Sequence, residues 1–181
     1  NDPAEIDSDE IILQLAESEG VVLLAPDQTS GESTFVNLNN ELTASACEIL
    51  LLGEFTVRGG DGKQTFVGDD SKQDLSLGSG DDVVFAGGGD DILIASDGNN
   101  YFDGGAGNDE IAAGSGMDVF VGGAGDDMID GGDGFDKAKY VGSYYDFTIE
   151  KQLDSFSVTD SLSLEGTDSL TNVERLEFAD G

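Results

Sequence analysis

Residues 59 to 139 fall into nine consecutive nonapeptides, with no residue inserted or lost. In register they read GGDGKQTFV, GDDSKQDLS, LGSGDDVVF, AGGGDDILI, ASDGNNYFD, GGAGNDEIA, AGSGMDVFV, GGAGDDMID and GGDGFDKAK. So short a period leaves few folds open. One unit has a single large apolar side chain and cannot bury it alone, whereas stacked units make a continuous core. The last three residues of each unit form a short period-two strand. Its middle residue reads Phe66, Leu75, Val84, Leu93, Phe102, Ile111, Phe120, Ile129 and Ala138. The first six residues must turn the chain. Their fourth position is Gly62, Ser71, Gly80, Gly89, Gly98, Gly107, Gly116, Gly125 and Gly134, where glycine permits close approach of carbonyls. Their sixth position is Gln64, Gln73, Asp82, Asp91, Asn100, Asp109, Asp118, Asp127 and Asp136. A carboxylate closing a carbonyl-lined turn is a hard-oxygen site, which suits calcium.

The pattern is G-G-x-G-x-D-x-U-x, with U a large apolar residue. On these residues the array resembles the RTX (repeats in toxin) family. The resemblance implies an all-β fold, a right-handed parallel β-roll in which two repeats make one coil. It also implies ions between turns stacked on the same edge, held by both sixth-position side chains and by turn carbonyls. Asp91 then pairs with Asp109, Asp109 with Asp127, Asp118 with Asp136, and Asn100 with both Asp82 and Asp118. The carbonyls carried over belong to Gly87 and Gly89, Gly105 and Gly107, Gly114 and Gly116, Gly123 and Gly125, and Gly132 and Gly134. Gln64 and Gln73 depart from the pattern, so the first two turns are expected to be metal-poor.

The chain has 39 acidic residues against 7 basic ones, a formal charge of -32. Such a field makes nucleic acid and anionic lipid poor partners. It also strains the compact state, so folding and divalent-ion binding should be one event. There is no histidine, and Cys47 is the one cysteine. A disulfide within the chain and a Cys/His zinc or copper site are thereby excluded. Cys47, in ASACEILLL, reads as a small buried residue. No phosphate-binding G-x-x-x-x-G-K-[ST] and no complete EF-hand loop occurs. The absence of histidine removes Ser-His-Asp and Cys-His catalysis. Acid-base pairs of carboxylates remain, but each regularly spaced aspartate already has a metal role, so no enzyme activity is expected.

Residues 1 to 58 read as a β-rich lead-in or N-terminal cap, with apolar runs EIILQL, VVLLA, STFVNL and CEILLLGEFTV. Residues 6 to 19 are open to a helical reading as well. The stretch LLLGEFTVR is in phase with the repeats, placing Gly53 at position four and Val57 at the apolar position. The start, NDPAEIDSDE, is acidic and does not read as a signal peptide. No apolar run is long enough for a membrane-spanning helix.

Residues 140 to 181 are expected to form a β-rich C-terminal cap over the last coil. Its apolar positions are Phe147, Ile149, Phe156, Val158, Leu170, Val173, Leu176 and Phe178, with Tyr140, Tyr144 and Tyr145 as core aromatics. GTDSLTNVERLEFADG, Gly166 to Gly181, is similar to the segment following the repeats in many RTX adhesins and exoproteins.

These resemblances imply a calcium-dependent folding and secretion module of a bacterial protein exported by type I secretion, with that machinery and calcium as partners. The acidic repeats would stay unfolded at low cytosolic calcium. They would fold outside the cell, where sites of about 10⁻⁴–10⁻³ M affinity fill. The family's secretion signal is C-terminal, and whether it overlaps the cap or lies past residue 181 stays open. Two other readings are a host- or biofilm-surface binding module of a large adhesin, and a stabilising domain of a secreted enzyme.

Overall fold

A computed structural model describes residues 57–181, apart from 60, 61 and 163, together with the backbone of five strands that begin before them. These are Ile11–Ile12, Val21–Leu24, Thr34–Asn37, Cys47–Leu51 and Phe55–Arg58. Cys47's side chain, Gly53 and most of the 6–19 segment lie outside the described residues; within that segment Ile11–Ile12 is strand.

The described chain is a parallel β-roll without an α-helix. Successive strands alternate between two sheets, so residues eighteen apart in the array become neighbours. In the first sheet the apolar position runs in register from Val57 through Leu75, Leu93, Ile111 and Ile129 to Leu170. In the second it runs from Phe66 through Val84, Phe102, Phe120 and Ala138 to Leu176. Every one of these side chains is buried except Leu176, which is partly so. The two stripes face each other as the dry interior of the coil, and the Phe102 and Phe120 rings stack at 5.8 Å.

The roll runs past the array at both ends. Before it, Phe55–Arg58 pairs with Gln73–Ser76, and Cys47–Leu51 with Gln64–Val67. The earlier strands continue both sheets in parallel, Val36 opposite Val57 and Val22 opposite Ile49. The phase read in LLLGEFTVR thus places Val57 correctly, directly beside Leu75. After the array, Thr167–Thr171 adds to the first sheet and Arg175–Glu177 to the second, both parallel.

Between these additions the chain makes an antiparallel excursion. Phe147–Lys151 pairs with Ser155–Asp160, which pairs in turn with Thr167–Thr171. This hairpin packs Phe147, Ile149, Phe156 and Val158 against the core. Tyr140, Phe147 and Phe178 meet at centroid distances of 5.0–5.4 Å and close the end of the roll. Of the three tyrosines read as core, only Tyr140 is buried. Tyr144 and Tyr145 sit in a single 3-10 turn, Tyr144–Asp146, and Tyr145 is 87% exposed. That turn lies at the surface, and the strand begins only at Phe147.

Candidate metal centre

Each turn delivers its sixth residue to the inside of the coil edge, just before the strand or, for Gln64 and Gln73, as its first residue. Gln64, Gln73, Asp82, Asp91, Asn100, Asp109, Asp118, Asp127 and Asp136 are all buried. They stack in two ladders with one repeated contact. The backbone N–H of each of the first seven donates to the side-chain oxygen of the residue eighteen further on. One ladder runs Gln73 to Asp91 (2.6 Å), Asp91 to Asp109 (2.8 Å) and Asp109 to Asp127 (2.8 Å). The other runs Gln64 to Asp82 (2.7 Å), Asp82 to Asn100 (2.9 Å), Asn100 to Asp118 (2.7 Å) and Asp118 to Asp136 (2.8 Å).

The contact uses one carboxylate oxygen. The other, Oδ2 of Asp82, Asp91, Asp109, Asp118, Asp127 and Asp136, is buried and accepts no hydrogen bond. A buried acceptor without a donor costs about 1–3 kcal/mol, more when charged. Asn100 shows what that oxygen faces. Its amide nitrogen, which stands where aspartates carry Oδ2, donates to the Gly98 carbonyl at 3.2 Å. The Gln73 amide nitrogen likewise donates to the Ser71 carbonyl at 2.7 Å. Where the residue is aspartate, two acceptors are brought to the same place, and a cation is the group that reconciles them. Among the described residues no three acidic or cysteine side chains converge; a cation at these edges would be met by paired carboxylates and carbonyls, a set that calcium accepts.

Glycine keeps these edges open. Gly107 has φ +135°, and a Cβ on it would take the place of the Gly89 carbonyl oxygen. A Cβ on Gly104 or Gly122 would overlap Oδ2 of Asp109 or Asp127. The turn carbonyls carried over in the sequence reading belong to glycines stacked in the same way. Gly87, Gly105 and Gly123 form one column, Gly89, Gly107 and Gly125 a second, and Gly114 stands over Gly132 and Gly116 over Gly134.

Burial with no counter-cation raises the carboxyls. Desolvation pushes Asp91 up to about 7, and Asp82, Asp109 and Asp127 up to about 6. Asp118 and Asp136 are raised for the same reason. The structure stacks the sixth-position residues in pairs along each edge, and the amide nitrogens of Gln73 and Asn100 donate to carbonyls of their own turns.

Three features escaped the sequence reading. Position five forms a second ladder of opposite sense wherever it is Asp or Asn. Asn99 N–H donates to Asp81 (2.7 Å), Met117 to Asn99 (2.9 Å), Asn108 to Asp90 (2.8 Å) and Asp126 to Asn108 (2.8 Å). Second, Asp168 of the cap accepts from Asp127 N–H at 3.1 Å. Third, Glu174 accepts from Asp136 N–H at 2.8 Å. The signal for the last two was present as G-x-D-x-L in Gly166–Leu170 and E-x-L in Glu174–Leu176, out of phase with the array.

A parallel β-roll whose edges carry buried, donor-less carboxylates over stacked carbonyls has the architecture of a calcium-binding solenoid. Residues 76–111 and 103–138 match the family of the RTX calcium-binding nonapeptide repeat, a pattern of four copies. The array in this chain is therefore an RTX repeat array, and the chain carries a calcium-binding module of RTX proteins. No curated protein matches the chain significantly.

Proposed function

We propose that this chain is a calcium-dependent folding and secretion module of a type I secreted bacterial RTX protein. The observation that carries the reading is the set of six buried aspartate oxygens without donors. In a chain of charge -32 they oppose folding until cations are supplied. Calcium supplies positive charge and flexible oxygen coordination at these edges. The chain's own residues supply paired carboxylates, carbonyl columns and an apolar interior that forms only when the coils stack. A chain held open where calcium is scarce and closed where it is plentiful suits export through a channel, with folding outside opposing return. The proposal includes no catalytic step, since the array's aspartates are taken up by the ladders. No helix among the described residues is long and apolar enough to cross a membrane.

The test is far-UV circular dichroism during a calcium titration, with magnesium as control. A cooperative coil-to-β transition in calcium alone is expected. A chain fully folded in chelator would sink the reading.

A second reading, a surface-binding module, is favoured by one feature. A cleft of about 350 Å³ lies between the roll and the cap, lined by Val121, Ala124, Val141, Phe147 and Leu164 together with Asp160 and Glu165. Saturable binding of a sugar or peptide that is lost on filling this cleft would support it.

A further inference from the structure

We propose that Asp168, in the cap, completes an additional calcium site with Asp127 at the junction of roll and cap, outside the nonapeptide array. The proposal rests on the calcium reading above.

The Asp127 N–H to Asp168 carboxylate contact, 3.1 Å, repeats the Asp109-to-Asp127 contact at 2.8 Å, although 41 residues rather than 18 separate the partners. The segment around Asp168 repeats the turn as well. Gly166 has φ +73°, and a Cβ on it would take the place of the Gly125 carbonyl oxygen, as one on Gly125 would that of Gly107. Thr167 N–H donates to Asp126 at 2.8 Å, continuing the outer ladder. Leu170 continues the core beside Ile129. The segment from Gly166 to Thr171 therefore occupies positions four to nine of another repeat.

One sign of a missing ligand is Asp127, among the six donor-less aspartates of the array. It is 1% exposed, and its Oδ2 has no hydrogen-bond donor. Asp168 is 2% exposed beside it. Lys137, Lys139 and Arg175 pair with Glu177, and no lysine or arginine is among the charges that act on Asp127 or Asp168. Two adjacent buried carboxylates without a counter-charge are unfavourable, and a bound divalent ion removes the conflict.

Glu174 makes the same ladder contact to Asp136, but a different turn leads to it. Only Asn172 and Val173 separate it from the preceding strand, which ends at Thr171. Position four there is Asn172, at φ +52°, rather than a glycine. One site is expected at this end, not two.

The experiment counts bound calcium per folded chain by equilibrium dialysis, for the full chain and for Asp168→Asn and Glu174→Gln. Asp168→Asn should bind one ion fewer, and Glu174→Gln the same number as the unaltered chain. An unchanged count for Asp168→Asn overturns the proposal while leaving the array sites intact. An unaltered chain that binds no calcium overturns the underlying reading and this one with it. Should Asp168→Asn fail to fold, terbium replaces calcium in the unaltered chain and in Tyr140→Phe. Tyr140 is buried with Asp168 as its charged neighbour. Tyrosine-sensitised emission should fall in Tyr140→Phe; unchanged emission counts against a terbium ion at Asp168.

Discussion

The Asn100 side-chain amide donates to the Gly98 carbonyl at 3.2 Å, within its own turn. Six aspartates at the equivalent position present an oxygen there instead. The difference of one atom separates a turn that is complete by itself from one that needs a cation. Asn100→Asp should therefore make the chain less folded in chelator and more responsive to calcium. Circular dichroism should show a lower signal without calcium and a steeper transition with it. An unchanged titration would mean that the amide bond does not substitute for an ion.

Interior and terminal rungs differ in how many neighbours they serve. Asp109 lies between Asp91 and Asp127, in the middle of its ladder, and both neighbours are aspartates. Asp136 has Asp118 on one side and Glu174, on its short turn, on the other. Asp109→Ala should weaken two stacked sites and Asp136→Ala one. The calcium midpoint of Asp109→Ala should be the higher of the two, and equal midpoints would count against the pairing.

Proton binding should mimic the metal in part. Asp82, Asp91, Asp109 and Asp127 have folded-state values near 6 to 7, above the ordinary carboxylate value of 3.8. The metal-free folded chain then binds more protons than the unfolded chain between about pH 4 and 7. By linkage its stability is greatest below the unfolded value and is lost as pH rises through 6 to 7. Acidifying the calcium-free chain from pH 7.5 to 5 should increase its β signal. Over the same range calcium should bind more weakly, because each ion must displace those protons. A calcium-free chain whose β content falls steadily on acidification would contradict the desolvation argument.

Phe102 is fully buried and stacks on Phe120 in the middle of the second stripe. Phe102→Ala should cost about 3–5 kcal/mol of unfolding free energy in saturating calcium. Denaturant unfolding at fixed calcium measures it. A loss near zero would place the ring outside the core.

The nine-residue period alone determined that position eight points inward and that Gln64 and Gln73 break the acidic pattern, while the stacking of position six at each coil edge was implied by the family resemblance. Those features follow from local geometry: a strand alternates with period two, and an uninterrupted repeat keeps every later residue in the same phase. Asp168 and Glu174 were beyond its reach. They join ladders begun by Asp127 and Asp136 across 41 and 38 residues, neither a multiple of nine, because a hairpin intervenes. Nor does the local sequence tell Tyr140, sealed against Phe178, from the exposed Tyr145. Only the fold of the hairpin back onto the roll decides which carboxylates meet and which rings are covered. Such contacts depend on where the chain returns in space, and a broken period carries no record of that.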